Sequence, residues 1–411
     1  MNTLLFAPET FNIAETTRMI EIAKAARGHF NSEFFGYSDE YSALIEQAGF
    51  KFHRMSPWLT KEKIEHLWKV DRMESLADPF TEAELRQRVD GELALYRALN
   101  PAAVIIGFTL STVISARAAK IPLVYVMPFA LTRPFLDVGL ATFPDEYDFP
   151  LLRLLPRATL DRLTNQWLRN TKVWIKPFQR VANAYGTLPI RRLVDIYEGD
   201  YNLVTDLPEL TGVSSLPENW RYIGAIFAHL EGDVPAEIHD LPRPLVYCAM
   251  GSSANRKILK TVIESFEGAP YSVIAPIKAH LHEGNIRVPK NVHVYDWLPA
   301  HKVNPLADIA VIHGGQGTVQ TACASGTPFV GIGLQPEQEG NIEAIVRYGS
   351  AVRLSKRRLT RETLLQSIES LLQNQTARQK AKDLQTLMGQ YNGSRLAADF
   401  LIEKFGRWQS L

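Results

Sequence analysis

The 411 residues include 45 Lys and Arg against 44 Asp and Glu, so no global charge draws the chain to nucleic acid. Hydrophobic residues make up 46%, which fits a globular protein long enough for two domains with separate cores. The only two cysteines, Cys248 and Cys323, argue against a disulfide framework or a metal site and for reduced thiols in the cytoplasm.

In chain order, Leu4 to Ala7 reads as a buried first strand, not a signal peptide, because no basic residues precede it. A helix is expected over Ile13 to Ala26, a strand around Phe34 to Gly36, and a helix over Ser38 to Ala48. Val104 to Gly107 reads as a strand, Thr112 to Ala119 as a helix, and Leu123 to Val126 as a strand after Pro122. The pattern restarts after Pro242. Strands are expected at Leu245 to Ala249, Tyr271 to Ala275, Val292 to Tyr295, Ile309 to Ile312 and Phe329 to Ile332, with helices between them. Such alternation implies α/β architecture with parallel sheets covered on both faces. The expected division is 1–226, a linker at 227–243, 244–390, and a C-terminal helix at 391–411 that packs back toward the first domain. No segment reaches the ~20 apolar residues that span a bilayer.

Residues 151–180 stand apart. Arg153, Arg157, Arg162, Arg169, Lys172, Lys176 and Arg180 face one acid, Asp161, with leucines, Trp167, Trp174 and Phe178 interleaved. The bland reading is a helical excursion with a solvated basic face. The sharper one is a peripheral membrane contact.

The most informative stretch is His313-Gly-Gly-Gln-Gly-Thr318. An apolar strand ends at Ile312, and Gly314, Gly315 and Gly317 make a turn without bulk. A helix, expected over Thr318 to Ser325, then points its N–H groups and dipole at whatever lies over the turn. The ligand that suits such a turn is a phosphate.

This block resembles the donor signature of family-1 glycosyltransferases, H-G-G-x-G-T, then A-x-x-x-G-x-P, then an acid–glutamine pair followed by asparagine. Ala322, Gly326 and Pro328 match, as do Glu337, Gln338 and Asn341. Gly333 departs, standing where the family usually has a proline. The resemblance implies the GT-B fold, two facing doubly wound Rossmann-like domains with an interdomain cleft. It implies an inverting, metal-independent transfer of a glucose-type sugar from a UDP-sugar, or less favoured a dTDP-sugar, with no cofactor. The acceptor would be a small, largely apolar molecule such as a phenol, polyketide, flavonoid or sterol-like compound. The donor residues it implies are Gly251, Ser252, Trp297, Leu298, His313, Gly315, Gln316, Gly317, Thr318, Glu337 and Gln338. Trp297 would stack on the base, His313 would hold the leaving diphosphate, and the acid–amide pair would hold the sugar.

The acceptor side departs from the family. Where its first strand leads into a histidine base, this chain has Asn12, and where an aspartate orients that base it has Gly107. An amide is no general base. Three readings stay open: an acidic acceptor that needs no base, another carboxylate among Glu9, Glu15, Asp137 and Asp145, or a protein that binds a sugar nucleotide without turning it over. An epimerase of the same fold is a further alternative. Phe11, Phe108, Phe129 and Phe135 are candidate acceptor-lining residues, and each also reads as core.

Overall fold

The computed structural model describes residues 1–72, 74–144, 147, 149, 151–228, 232–250 and 256–406. The contacts divide the chain into two units. The first takes residues up to Ala141, Asp161–Ala228 and the stretch from Tyr391 onward. The second takes Thr142–Leu160 and the stretch that ends at Gln390.

Seven strands form the sheet of the first unit: β1 (Asn2–Ala7), β2 (Phe30–Gly36), β3 (Lys51–Arg54), β4 (Ala103–Ile106), β5 (Leu123–Met127), β6 (Tyr201–Val204) and β7 (Trp220–Tyr222). Their order is β3-β2-β1-β4-β5-β6-β7, and every pairing is parallel. Leu5 and Ala7 of β1 join the core on one face, Leu4 and Phe6 the core on the other, so β1 is apolar from Leu4 to Ala7. The helix Gly393–Phe405 packs in the second of these layers through Ala397, Ala398, Phe400 and Leu401, beside Met19, Ile22 and Ala23 of the helix Ile13–Ala25.

The second unit carries β8 (Leu245–Ala249), β9 (Ser272–Ala275), β10 (Val292–Val294), β11 (Ile309–Ile312), β12 (Phe329–Gly331) and β13 (Ala351–Arg353). The order is β10-β9-β8-β11-β12-β13, again parallel throughout. Each sheet reverses direction of growth at one place, between β1 and β4 in the first and between β8 and β11 in the second. Ala7 there pairs with Ile106, and Ala249 with Ile312. Ligands of open α/β sheets bind outside the carboxyl ends of the strands at such points.

Several boundaries differ from expectation. The helix expected from Ser38 begins at Ser42, and Ser38 is tied instead to Thr10 in the loop after β1. Its N–H donates to Thr10 Oγ1 (3.1 Å), and Thr10 Oγ1 donates to its carbonyl (2.5 Å). The helix expected from Thr318 begins at Gln316, with Gly315 as its extended N-cap. The basic segment forms two helices, Arg157–Asn170 and Ile175–Ala184, separated by Trp174 in the left-handed region (φ 61°). Thr142–Leu160, placed by sequence in the first domain, belongs with the second unit. There Arg353 donates to Thr142 Oγ1 (3.3 Å), and the Arg357 guanidinium lies 5.2 Å from the Phe149 ring centre.

The helix Glu82–Leu99 sets buried charge under the ends of β1, β2 and β4. A Thr81–Glu84 capping box starts it. Fully buried Arg88 donates to Glu9 Oε1 (3.0 Å) and lies between the rings of Tyr37 (3.7 Å) and Phe80 (4.4 Å). One turn later, Glu92 accepts from Tyr37 Oη and Ser111 Oγ, both at 2.5 Å, and from Ser115 Oγ. Burial lifts Glu92 above the ordinary carboxylate range, and the three hydroxyls pull it back.

Removing Arg88 strands Glu9 as an unpaired buried charge and empties the space between two rings. Arg88→Ala is expected to lose about 3–5 kcal/mol of stability. Urea unfolding followed by circular dichroism would measure it. A change below ~0.5 kcal/mol, as at an ordinary surface position, would contradict a buried ion pair at this place.

Candidate active site

At the end of β11, two of the three glycines have a structural reason to be glycine, and the two reasons differ. Gly314 has φ +86°, and a Cβ there would lie 2.5 Å from Ile342 Cδ1 and 2.8 Å from the Gln338 carbonyl, on the helix Pro336–Tyr348. A Cβ on Gly315 would lie 2.5 Å from His313 Nε2. A Cβ on Gly317 would meet nothing within 4 Å, so its lack of a side chain is not a packing requirement. The first turn of the helix Gln316–Ala324 closes on Gly315, whose carbonyl accepts from the N–H groups of Thr318 and Val319, both at 3.0 Å. Gln316 is buried and Thr318 half-buried.

His313 is buried, and its Nδ1 lies 3.3 Å from the carbonyl oxygen of Ala249 at the end of β8. A carbonyl only accepts, so Nδ1 carries the proton. Burial pushes the imidazole down to about 4, partly offset by that carbonyl, so the ring is neutral near pH 7. Nε2 is then bare beside Gly315. An anionic oxygen placed there needs a proton on Nε2, supplied by tautomer exchange or by uptake.

The acid–amide pair behaves differently from expectation. Asn341 Nδ2 bridges the Gly314 carbonyl (3.2 Å) and Glu337 Oε1 (2.8 Å), fixing the half-buried acid against the glycine turn. Gln338 is buried. Its Oε1 accepts from Leu334 N–H (2.9 Å), and its Nε2 donates to Gln335 Oε1 (2.9 Å). This amide braces its own loop, leaving Glu337 as the more available of the two. Gly333 is glycine because a Cβ there would lie 2.6 Å from Glu339 Cγ.

Trp297 is 47% exposed and lies against Gly232, whose carbonyl accepts from Lys302 Nζ (2.8 Å). Neighbouring Leu298 is buried. Gly251 and Ser252 lie outside the described residues, as does Asp145.

In the first unit the loops after β1 and β4 meet at one carboxylate. Asn12 caps the helix Ile13–Ala25, its Oδ1 accepting from the N–H groups of Ala14 (3.0 Å) and Glu15 (3.3 Å). The side chain of Asn12 is therefore spent on the helix. Glu15 follows on the first turn. Its Oε1 accepts from Phe108 N–H (2.8 Å) and Glu9 N–H (3.1 Å), while its Oε2 has no hydrogen-bond partner among the described residues. Gly107 makes the room, since a Cβ there would lie 2.5 Å from Oε1. A carboxylate from the first helix thus occupies the ground where a side chain at position 107 would stand.

Burial raises the Glu15 pKa to about 7, opposed by the Phe108 N–H and assisted by the charge of Glu9. Glu9 itself is ion-paired with Arg88, and Asp137 pairs at the surface with Arg169 (3.0 Å). Of the described candidate acids, Glu15 alone combines burial, an unengaged oxygen and a poised pKa.

The candidate acceptor phenylalanines divide. Phe129 and Phe135 are closed into the core, edge to face at 5.7 Å, and offer no surface to a ligand. Phe11, edge-on to Trp68 (5.4 Å), and Phe108, edge-on to Tyr197 (6.1 Å), are partly open. Sequence reasoning missed Arg88 and Glu92, although Thr81-x-x-Glu84 announced the helix that carries them.

Residues 261–390 match the family model described as the C-terminal domain of erythromycin biosynthesis protein CIII-like proteins. A Mycobacterium tuberculosis (strain ATCC 25177 / H37Ra) protein named PGL/p-HBAD biosynthesis glycosyltransferase is 28% identical, covering 94% of this chain and 88% of its own. A Mycobacterium bovis (strain BCG / Pasteur 1173P2) protein named PGL/p-HBAD biosynthesis rhamnosyltransferase is 26% identical, covering 94% and 84%. Among solved structures, the glycosyltransferase VinC in complex with DTDP superposes with a TM-score of 0.67 at 18% identity, covering 98% of this chain and 99% of that one.

The glycine turn yields a paired test. Gly315→Ala presses on Nε2 of His313 and is expected to weaken nucleotide-sugar binding at least ~10-fold, about 1.4 kcal/mol. Gly317→Ala is expected to fold with unchanged stability, so any loss of affinity there reports a ligand lying over the turn. Calorimetric titration with UDP-glucose and dTDP-glucose reads both variants. Wild-type affinity in Gly315→Ala would remove His313 from the binding surface.

Proposed function

We propose that this chain, a GT-B glycosyltransferase of the family-1 type, moves a sugar from a nucleoside diphosphate donor to a hydroxyl of a small, largely apolar acceptor, with Glu15 as general base. The observation that carries this reading is Glu15, a buried carboxyl with a pKa near 7 and one unengaged oxygen at the switch point of the first sheet.

In the proposed step Glu15 Oε2 takes the proton of the acceptor hydroxyl as its oxygen attacks the anomeric carbon. The bond from that carbon to the diphosphate oxygen breaks, the electron pair leaves with the nucleoside diphosphate, and the configuration inverts. His313 and the N-terminus of the helix Gln316–Ala324 stabilise the departing charge. Trp297 stacks on the base, and Glu337 holds sugar hydroxyls. The step uses no metal and no cofactor. Phe11 and Phe108 border the acceptor.

The donor is read as a UDP- or dTDP-hexose. The resemblance of the acid–glutamine pair favours glucose-type sugars. The rhamnosyltransferase relative and the DTDP bound to VinC favour a dTDP-6-deoxyhexose. A phenol is the preferred acceptor, because a base with a pKa near 7 is well matched to a weakly acidic hydroxyl.

The test combines wild type and Glu15→Gln with UDP-glucose, dTDP-glucose and dTDP-rhamnose against a panel of phenols, following release of nucleoside diphosphate. Wild type should release it only with an acceptor, and Glu15→Gln should lower turnover by ~10²–10⁴ with donor affinity retained. A second readout is stability. Glu15 is raised from 4.5 to about 7 in the folded chain, so its contribution is complete below pH 4.5 and is lost as pH rises through 7. Glu15→Gln should therefore gain about 3 kcal/mol on wild type between pH 4 and pH 8. Full turnover in the glutamine variant would remove Glu15 from the chemistry, and no release from any pair would overturn the transfer reading.

A further inference from the structure

The basic segment is not used by the chemistry above, and its helix Arg157–Asn170 leaves large apolar side chains exposed. Its buried side includes polar side chains. Thr164 and Asn165 are buried beside Leu160, and Asn165 accepts from Ala141 N–H (3.0 Å) and donates to the Ala141 carbonyl (2.7 Å). Leu160 is buried and Leu168 packs against the core, but two further apolar side chains point out. Leu163 and Trp167, one turn apart, are 49% and 53% exposed. Leu154 and Leu155, which lead into the helix, are exposed as well.

Exposed cations lie on the same helix and just beyond it. Arg157, Arg162 and Arg169 are exposed on the helix, and Lys172, Lys176 and Arg180 are exposed beyond it. The whole chain has a net charge of +1, yet residues 151–180 hold seven basic residues against one acid. An exposed leucine alone needs no explanation. A leucine and a tryptophan turned outward from a helix whose asparagine and threonine are turned inward do.

We propose that this helix docks on an anionic lipid surface. Leu163 and Trp167 enter the boundary between headgroups and acyl chains, where tryptophan is favoured, while the arginines and lysines meet the lipid phosphates. Charge selects this occupant. A second copy of the chain would bring the same cations face to face across a two-fold interface, and a nucleic acid gives the leucines nothing to enter. The inference is independent of the donor and of the base, and it concerns where the enzyme meets its surroundings.

The full chain is mixed with vesicles of phosphatidylcholine alone and of an equal mixture with phosphatidylglycerol, then floated on a density gradient. Wild type should float with the anionic vesicles only, and added salt should release it. The double variant Leu163→Ser/Trp167→Ser should lose at least ~10-fold in bound fraction, and Arg162→Glu/Lys172→Glu should lose a similar amount. All four positions are exposed, and circular dichroism checks that each variant is folded. Trp167→Phe should also abolish part of the blue shift in tryptophan emission that vesicles induce. Equal binding to both vesicle types, binding to neither, or variants that float like wild type would overturn the proposal. So would light scattering that shows a wild-type dimer made monomeric by Leu163→Ser/Trp167→Ser.

Discussion

The strand ends of the first sheet are organised around a carboxylate held away from solvent. Glu15 reaches from the first helix over the end of β4, where two backbone N–H groups meet one of its oxygens and none meets the other. Water would stabilise the charged form of both oxygens; the protein satisfies only one, and the pKa rises to about 7. Everything near it serves this arrangement. Gly107 lacks the side chain that would collide with it, and Asn12 caps the helix turn that presents it. Arg88 neutralises neighbouring Glu9, so that two adjacent acids are not both uncompensated.

The second sheet uses the same constraint with a different group. His313 stands at the end of β11, as the Gly107 loop stands at the end of β4, and burial again disfavours its charged form. An acid near 7 and an imidazole near 4 are both neutral-leaning groups poised to change when a charged or polar substrate arrives. In the proposed reaction the two changes are complementary. One group accepts a proton from the nucleophile, and the other meets negative charge on the leaving group.

Most strands were legible because parallel strands buried on both faces read as continuous apolar runs; β3, β6, β7 and β13, short and carrying polar residues, were not expected. β8 and β11 match the expected ranges, and most of the others differ by one or a few residues at an end. The strand–turn–helix at His313 was legible because three glycines follow an apolar run and precede a helical stretch. Gln338 was misjudged because sequence cannot say that its amide is used by Leu334 and Gln335 of its own loop. Phe129 and Phe135 were misjudged because an aromatic ring looks the same in a core and in a pocket. Glu15 stood among four candidate acids, and only three-dimensional packing separates it from Glu9, since both belong to one short loop and helix start. That Gly107 is the space into which Glu15 fits is a fact of packing.

The most direct measurement of the central claim is the pH dependence of turnover with saturating donor and a series of phenols of different acidity. A protein base predicts a rate that rises through one inflection near pH 7 and then levels, at the same position for every phenol. An inflection that moves with each phenol's own pKa would show that the acceptor ionises without help, and would contradict the role assigned to Glu15.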